Sequence, residues 1–241
     1  MSRDERRLGA VPGALWLLLG AALAGQLAWQ AARRPAAPAA ADLPPAPSVA
    51  ALRLASFGEP QALARIAMLY LQSFDLRAGN TLRYAELDYA RLEGWLAAIL
   101  ELDPKSTYPL FSAARVYAEV DDPRRCRIML EFVYREFLRD PNGRWQWLAH
   151  AALLAKHRLH DLPLARRYAA AVQRYTTDPR VPLWAKQMEI FILEDMNELE
   201  AAKIMLGGLL ESGAVHDPDE ARFLAQHLKE LEGRTRPKAR K

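Results

Sequence analysis

Three of the five histidines of this 241-residue chain fall in one stretch, RDPNGRWQWLAHAALLAKHRLHDLP at 139–163. His150, His157 and Asp161 stand at i, i+7 and i+11, nominally one face of a helix, and His160 follows His157 by three. Imidazole and carboxylate on one face suit a zinc ion, which would support metal-dependent or hydrolytic chemistry through His150 and His157. Against that, Asp161 stands where the helix must stop, and a capping carboxylate leaves the face. His160 sits at the same end, where a positive side chain suits the helix dipole. Trp145 and Trp147 fit the apolar positions of a helix. The stretch reads as a structural unit with no metal ligand.

Other candidate chemistry is weaker. Glu194, Asp195, Glu198 and Glu200 cluster around a helix turn and could do acid–base work. No partner for them is visible, so they read as solvated or capping residues. Cys126 is the single cysteine, which excludes an internal disulfide framework and a cysteine metal site. It reads as a packing residue. LGGLLESG at 206–213 lacks the lysine and preceding strand of a phosphate loop, and Gly213 reads as a helix end. Neither a catalytic residue nor a cofactor is expected.

The elements that position these residues are helical from about residue 59, since no run alternates with period two. Asp-Pro recurs at 103–104, 140–141, 178–179 and 217–218, at intervals of 37, 38 and 39 residues. Proline pushes the preceding residue out of the helical region and fits the first helical position, while aspartate caps. Each Asp-Pro is therefore expected to end one helix and start the next. A second break falls inside each interval, at Asp122-Pro123, at Asp161 with Pro163, and at Asn197 with Glu200 in capping-box spacing. Two helices per period result.

The second helices share a register. Cys126, Leu130 and Val133 match Ala165, Ala169 and Val172, then Ala202, Leu206 and Leu209; Ala90, Gly94 and Ala97 extend the pattern backward. The i, i+4, i+7 spacing puts each trio on one buried face, with Arg166 facing solvent. Such a period and register are what helical-hairpin stacks need.

With Leu110-x2-Ala113-Ala114-x2-Tyr117, the Cys126 trio, and Trp145-x2-Leu148-Ala149 closed by Pro179, the chain over roughly 60–232 resembles tetratricopeptide repeats. Its period is longer than that family's ~34 residues. The resemblance implies an all-α solenoid, a right-handed superhelix whose concave groove binds peptides or protein partners. It implies no catalytic residue. Since first helices of such hairpins commonly line the groove, Tyr117, Trp145, Trp147, His150, Leu154 and Trp184 are the expected partner contacts.

Charge locates the remaining segments. The net +4 is carried by the ends, and residues 43–232 hold a net −3. A nucleic-acid-binding domain has the opposite balance, so no nucleic acid is expected as partner, and no small-molecule substrate. Leu8 to Ala32 is uncharged over 25 positions, enough to cross a bilayer once. Arg3, Arg6 and Arg7 precede it, against Arg33 and Arg34 after it, which favours a cytoplasmic N-terminus. The expected organisation is a short tail at 1–7, a transmembrane helix at 8–32, a Pro/Ala-rich linker at 33–58, the repeat domain at 59–232 and a basic tail at 233–241. The expected function is a scaffold or assembly factor of a bacterial cell envelope. It would be anchored in the inner membrane with its repeat domain in the periplasm, holding a protein partner.

Overall fold

The structure, a computed structural model, describes residues 12–32, 43–75 and 87–235. The chain divides into two units, Met1–Ala41 and Asp42–Lys241. In the first, α1 (Gly13–Ala32) is the helix long and apolar enough to cross a membrane, through Gly13–Gln30, and all of that stretch is exposed. The start of the expected span, 8–11, lies outside the described residues.

The second unit is all-helical among the described residues. Its elements are α2 (Val49–Ala55), α3 (Pro60–Asp75), α4 (Tyr89–Leu102), α5 (Tyr108–Arg115), a 3-10 turn (Tyr117–Glu119), α6 (Pro123–Arg139), α7 (Pro141–His157), α8 (Leu162–Tyr175), α9 (Leu183–Asp195), α10 (Leu199–Glu211) and α11 (Pro218–Thr235). Each helix from α6 onward packs on the next in sequence, while α4 with α6 and α5 with α7 also touch.

Local chemistry explains most boundaries. Asp122 accepts from the backbone N–H groups of Arg124 and Arg125 at 2.9 and 3.2 Å, and Pro123 opens α6. Asp140 ends α6 and caps α7 through Gly143 N at 3.1 Å; Asp161 caps α8 through Leu164 N at 2.9 Å. Two of the four Asp-Pro pairs behave differently. Asp103 closes α4, but α5 begins only at Tyr108. Asp178 lies in the loop between α8 and α9, bonded to Arg180. Asn197 is also not a cap. With φ of +60° it makes the left-handed turn that ends α9, and α10 starts after Glu198.

The register holds in α6 and α8, where Cys126, Leu130, Val133, Ala165, Ala169 and Val172 are all fully buried. In α10, Ala202 and Leu206 are fully buried and Leu209 half so. It fails in α4. Ala90 is exposed and Gly94 and Ala97 half-buried, because the buried face is Leu92, Leu96 and Ile99, two residues along. That shift turns the large side chains of α4 onto α6 and α3. Arg166 is also more engaged than expected, bonding Glu189 and Glu198 at 3.2 Å each.

The expected linker at 33–58 ends earlier than its composition indicates. Leu43 is 1 % exposed, its carbonyl accepts from Arg91 Nη1 at 2.8 Å, and the Pro44 carbonyl accepts from Trp95 Nε1 at 2.8 Å. These bonds and the burial of Leu52 make 43–58 part of the folded unit. One core runs from Leu43 to α9, and a smaller one joins α9, α10 and α11 through Ile190, Leu193, Ala202, Leu206, Leu224 and Leu231.

Candidate functional site

α7 lies between α5 and α9, and its two flanks carry different contacts. Toward α5 it presents Trp147, His150 and Leu154 at i, i+3, i+7, and α5 answers with Tyr108, Phe111 and Arg115 at the same spacing. Phe111 meets Trp147 edge-on at 5.8 Å and stacks on Tyr108 at 6.2 Å. Toward α9, Trp145 meets Trp184 edge-on at 5.6 Å, and three turns later Lys156 pairs with Asp195. Tyr108 also accepts a hydrogen bond from Gln72 of α3. It borders a cleft of about 310 Å³ lined by Arg65, Met68, Leu69 and Asp103. The aromatic rings thus form a row across α5, α7 and α9. Tyr108, Phe111, Leu153 and Trp184 remain 40–53 % exposed.

The expected contact residues divide on burial. Trp145, Trp147, His150 and Leu154 are half-buried and Trp184 is exposed, all along this row. Tyr117 is not on it. α5 stops at Arg115, and the 3-10 turn swings Tyr117 inward to 2 % exposure, with its carbonyl accepting from Tyr89 Oη at 2.9 Å. A side chain that buried presents nothing to a partner, so Tyr117 is a core residue. Tyr108, Phe111 and Arg115 were passed over because their motif positions flank the buried Leu110 and Ala114. Their shared i, i+3, i+7 spacing was the available signal.

His150 sits against α5, 4.0 Å from Glu119. Burial first, and then the Arg115 guanidinium, hold its pKa below the ordinary imidazole value, against the opposing pull of Glu119 and the Ala114 backbone. Its Nε2 and the Trp147 Nε1 are buried atoms without a hydrogen-bond partner among the described residues. Because the unfolded chain takes up the proton more readily, stability falls as pH drops below about 6.5, and the loss ends below the folded pKa. His150→Gln is expected to flatten this dependence. Thermal melts of both proteins from pH 7.5 to 5 check it, and parallel curves would contradict it.

The histidine stretch does not converge. His157 is exposed, and His160 occupies a left-handed turn with φ of +51°. Asp161 is drawn away to cap α8 and to accept from Arg127 at 2.8 Å, which lowers its pKa. Among the described residues no three His, Cys, Asp or Glu side chains are grouped to hold a metal. In the acidic cluster Asp195, Glu198 and Glu200 are exposed, with Glu198 at the N-cap position of α10, and each is also ion-paired: Asp195 with Lys156, Glu198 with Arg166 and Glu200 with Lys203, while the half-buried Glu194 meets His227 at 2.6 Å and Arg234 at 3.4 Å. The His227 pairing, with the ring stacked on Phe223, spans 33 residues and had no local sequence signal. Burial pushes the Cys126 thiol up to about 11, so it stays protonated and inert. Compared with protein-family models, curated proteins and solved structures, the chain has no match.

Proposed function

We propose that the chain is a membrane-anchored scaffold or assembly factor of a bacterial cell envelope. In this reading a tetratricopeptide-like solenoid holds a protein partner along its first helices and performs no chemistry of its own. The observation that carries it is the aromatic row on α5, α7 and α9. Exposed rings on α5 and α9, with the half-buried tryptophans of α7 between them, supply rigid contact area at low entropic cost, the composition that dominates protein interfaces. Sequence-adjacent packing of α6 to α11 supports the stacked-hairpin reading. The apolar α1 supports the anchor, and the weight of arginines before the span over those after it favours a periplasmic folded unit.

Photo-cross-linkers placed at Phe111 and Trp184 in the full-length protein in its own membrane test this. A discrete cross-linked species is expected from both, and none from the more exposed Ile204 on α10. Trp184→Ala should weaken the complex by about 2 kcal/mol while leaving the melting curve near wild type. Equal cross-linking from all three sites would refute the surface. So would one zinc per chain that is lost in the His150→Ala/His157→Ala variant, since a metal centre would then occupy the proposed groove. A C-terminal reporter active only in the cytoplasm is expected to stay silent; activity would reverse the orientation.

A further inference from the structure

On its outer face, α3 breaks the usual pattern of a surface helix. Its inner face is the buried Ala64, Ala67, Met68, Leu71 and Phe74. Its outer face carries Ala62, Ile66, Leu69 and Ser73, where a surface helix normally shows charge. Ile66 is 60 % exposed and Leu69 64 %. The last turn of α2 exposes Leu54 at 82 %, and the turn between α2 and α3 exposes Phe57 at 95 %, the latter in a left-handed conformation with φ of +49°. Two exposed arginines, Arg53 and Arg65, belong to the same stretch, and neither has a carboxylate partner among the described residues. Arg115, Arg124 and Arg174 likewise lack an ion pair among the described residues, so what sets this region apart is the two arginines standing beside exposed large apolar side chains.

We propose that the outer face of α3 and the turn before it dock on a lipid surface, in the headgroup layer of an anionic bilayer. The inference rests on the reading of α1 as a membrane anchor. Ten residues, 33–42, join Ala32 to Leu43, and a chain of that length reaches no more than about 40 Å however it runs. Leu43 and Pro44 are bonded to Arg91 and Trp95 of α4, and the Trp95 ring lies 5.2 Å from that of Tyr70 on α3. The tether therefore enters the folded unit at α4, the helix that packs on α3, and its length keeps the unit that carries this face within reach of an anchoring bilayer. The chemistry matches the headgroup layer. Leu54, Phe57, Ile66 and Leu69 suit shallow apolar insertion, and the exposed Arg53 and Arg65 guanidinium groups suit lipid phosphates.

The test uses the full-length protein in vesicles of anionic and zwitterionic phospholipid, labelled with a fluorophore at Phe57→Cys, Ile66→Cys or Leu69→Cys. Ile204→Cys is the exposed control and Leu19→Cys reports the anchor. Cys126 is fully buried and does not compete for label. Circular dichroism checks that each variant keeps its helical content. Nitroxide carried on the lipid headgroup is expected to quench positions 57, 66 and 69 at least twofold more than 204. Arg53→Gln with Arg65→Gln should reduce that difference. Quenching at all three positions no greater than at 204 would overturn the proposal, whatever Leu19 reports. Shielding of these positions from both lipid nitroxide and aqueous iodide would also overturn it, because another protein surface would then cover the face. Lack of quenching at Leu19 by a nitroxide on the lipid acyl chain would overturn the anchor instead, and the face would still be judged by 57, 66 and 69.

Discussion

Ala169→Asp is expected to unfold the helical unit under conditions where the wild type is fully native. Ala169 is fully buried on α8, the helix that makes extensive contacts with both α7 and α9. A carboxylate there has no room and no cation, and burying it costs about 4 kcal/mol or more even after the structure relaxes. Gln173, one turn further on, is exposed, so Gln173→Asp should cost about 0.5 kcal/mol. Arg166→Asp belongs between them. It loses bonds to Glu189 and Glu198 and sets a third carboxylate beside them. Thermal denaturation followed by circular dichroism ranks the three. Equal shifts for Ala169→Asp and Gln173→Asp would refute the register of α8.

That register was legible because it depends on one physical quantity, the burial of small and apolar side chains at helical spacing. The cap residues Asp122, Asp140 and Asp161 were legible for a similar reason: an aspartate before proline, or one residue further from it, acts within its own helical turn. What the sequence did not disclose is set by long-range pairing. The α4 register follows Leu92, Leu96 and Ile99 because α3 and α6 cover that side, and α3 is not a repeat helix of the same pattern. Residues 43–58 look like linker by composition, yet two carbonyl groups captured by Arg91 and Trp95 hold their start in place. In the candidate surface, the tryptophans of α7 and α9 were legible as aromatics on first helices. Tyr117 was misplaced because the end of α5 at Arg115 turns its side chain inward. The partners of Glu194 lie 33 and 40 residues away, where no local pattern reaches.

Arg144 shows the same limit with a larger energetic consequence. It falls on the buried stripe of α7, in register with Leu148, Ala151 and Ala155, at a position where arginine is rarely found. In the first turn of a helix its charge also opposes the dipole. Both costs are met by its partners. Nη1 donates to the Glu136 carboxylate at 2.7 Å and to the Glu136 carbonyl at 2.8 Å, and Nη2 donates to the Pro104 carbonyl at 2.9 Å. The arginine and glutamate side chains are each 8 % exposed. One guanidinium therefore ties α7 to the end of α6 and to the loop between α4 and α5. Arg144→Met keeps most of the volume but strands a buried carboxylate and two carbonyl groups, and only the 3.3 Å contact from Arg139 remains to Glu136. The expected loss is about 3–5 kcal/mol, a fall in Tm of roughly 10 °C for a unit of this size. Arg144→Met combined with Glu136→Leu is expected to recover most of it, because the stranded charge goes while the apolar volume stays. The recovery stays incomplete, since the Pro104 and Glu136 carbonyl groups still lack their donor. A double variant no more stable than Arg144→Met would show that the hydrogen bonds to those two carbonyl groups, rather than the ion pair, hold this corner of the fold together.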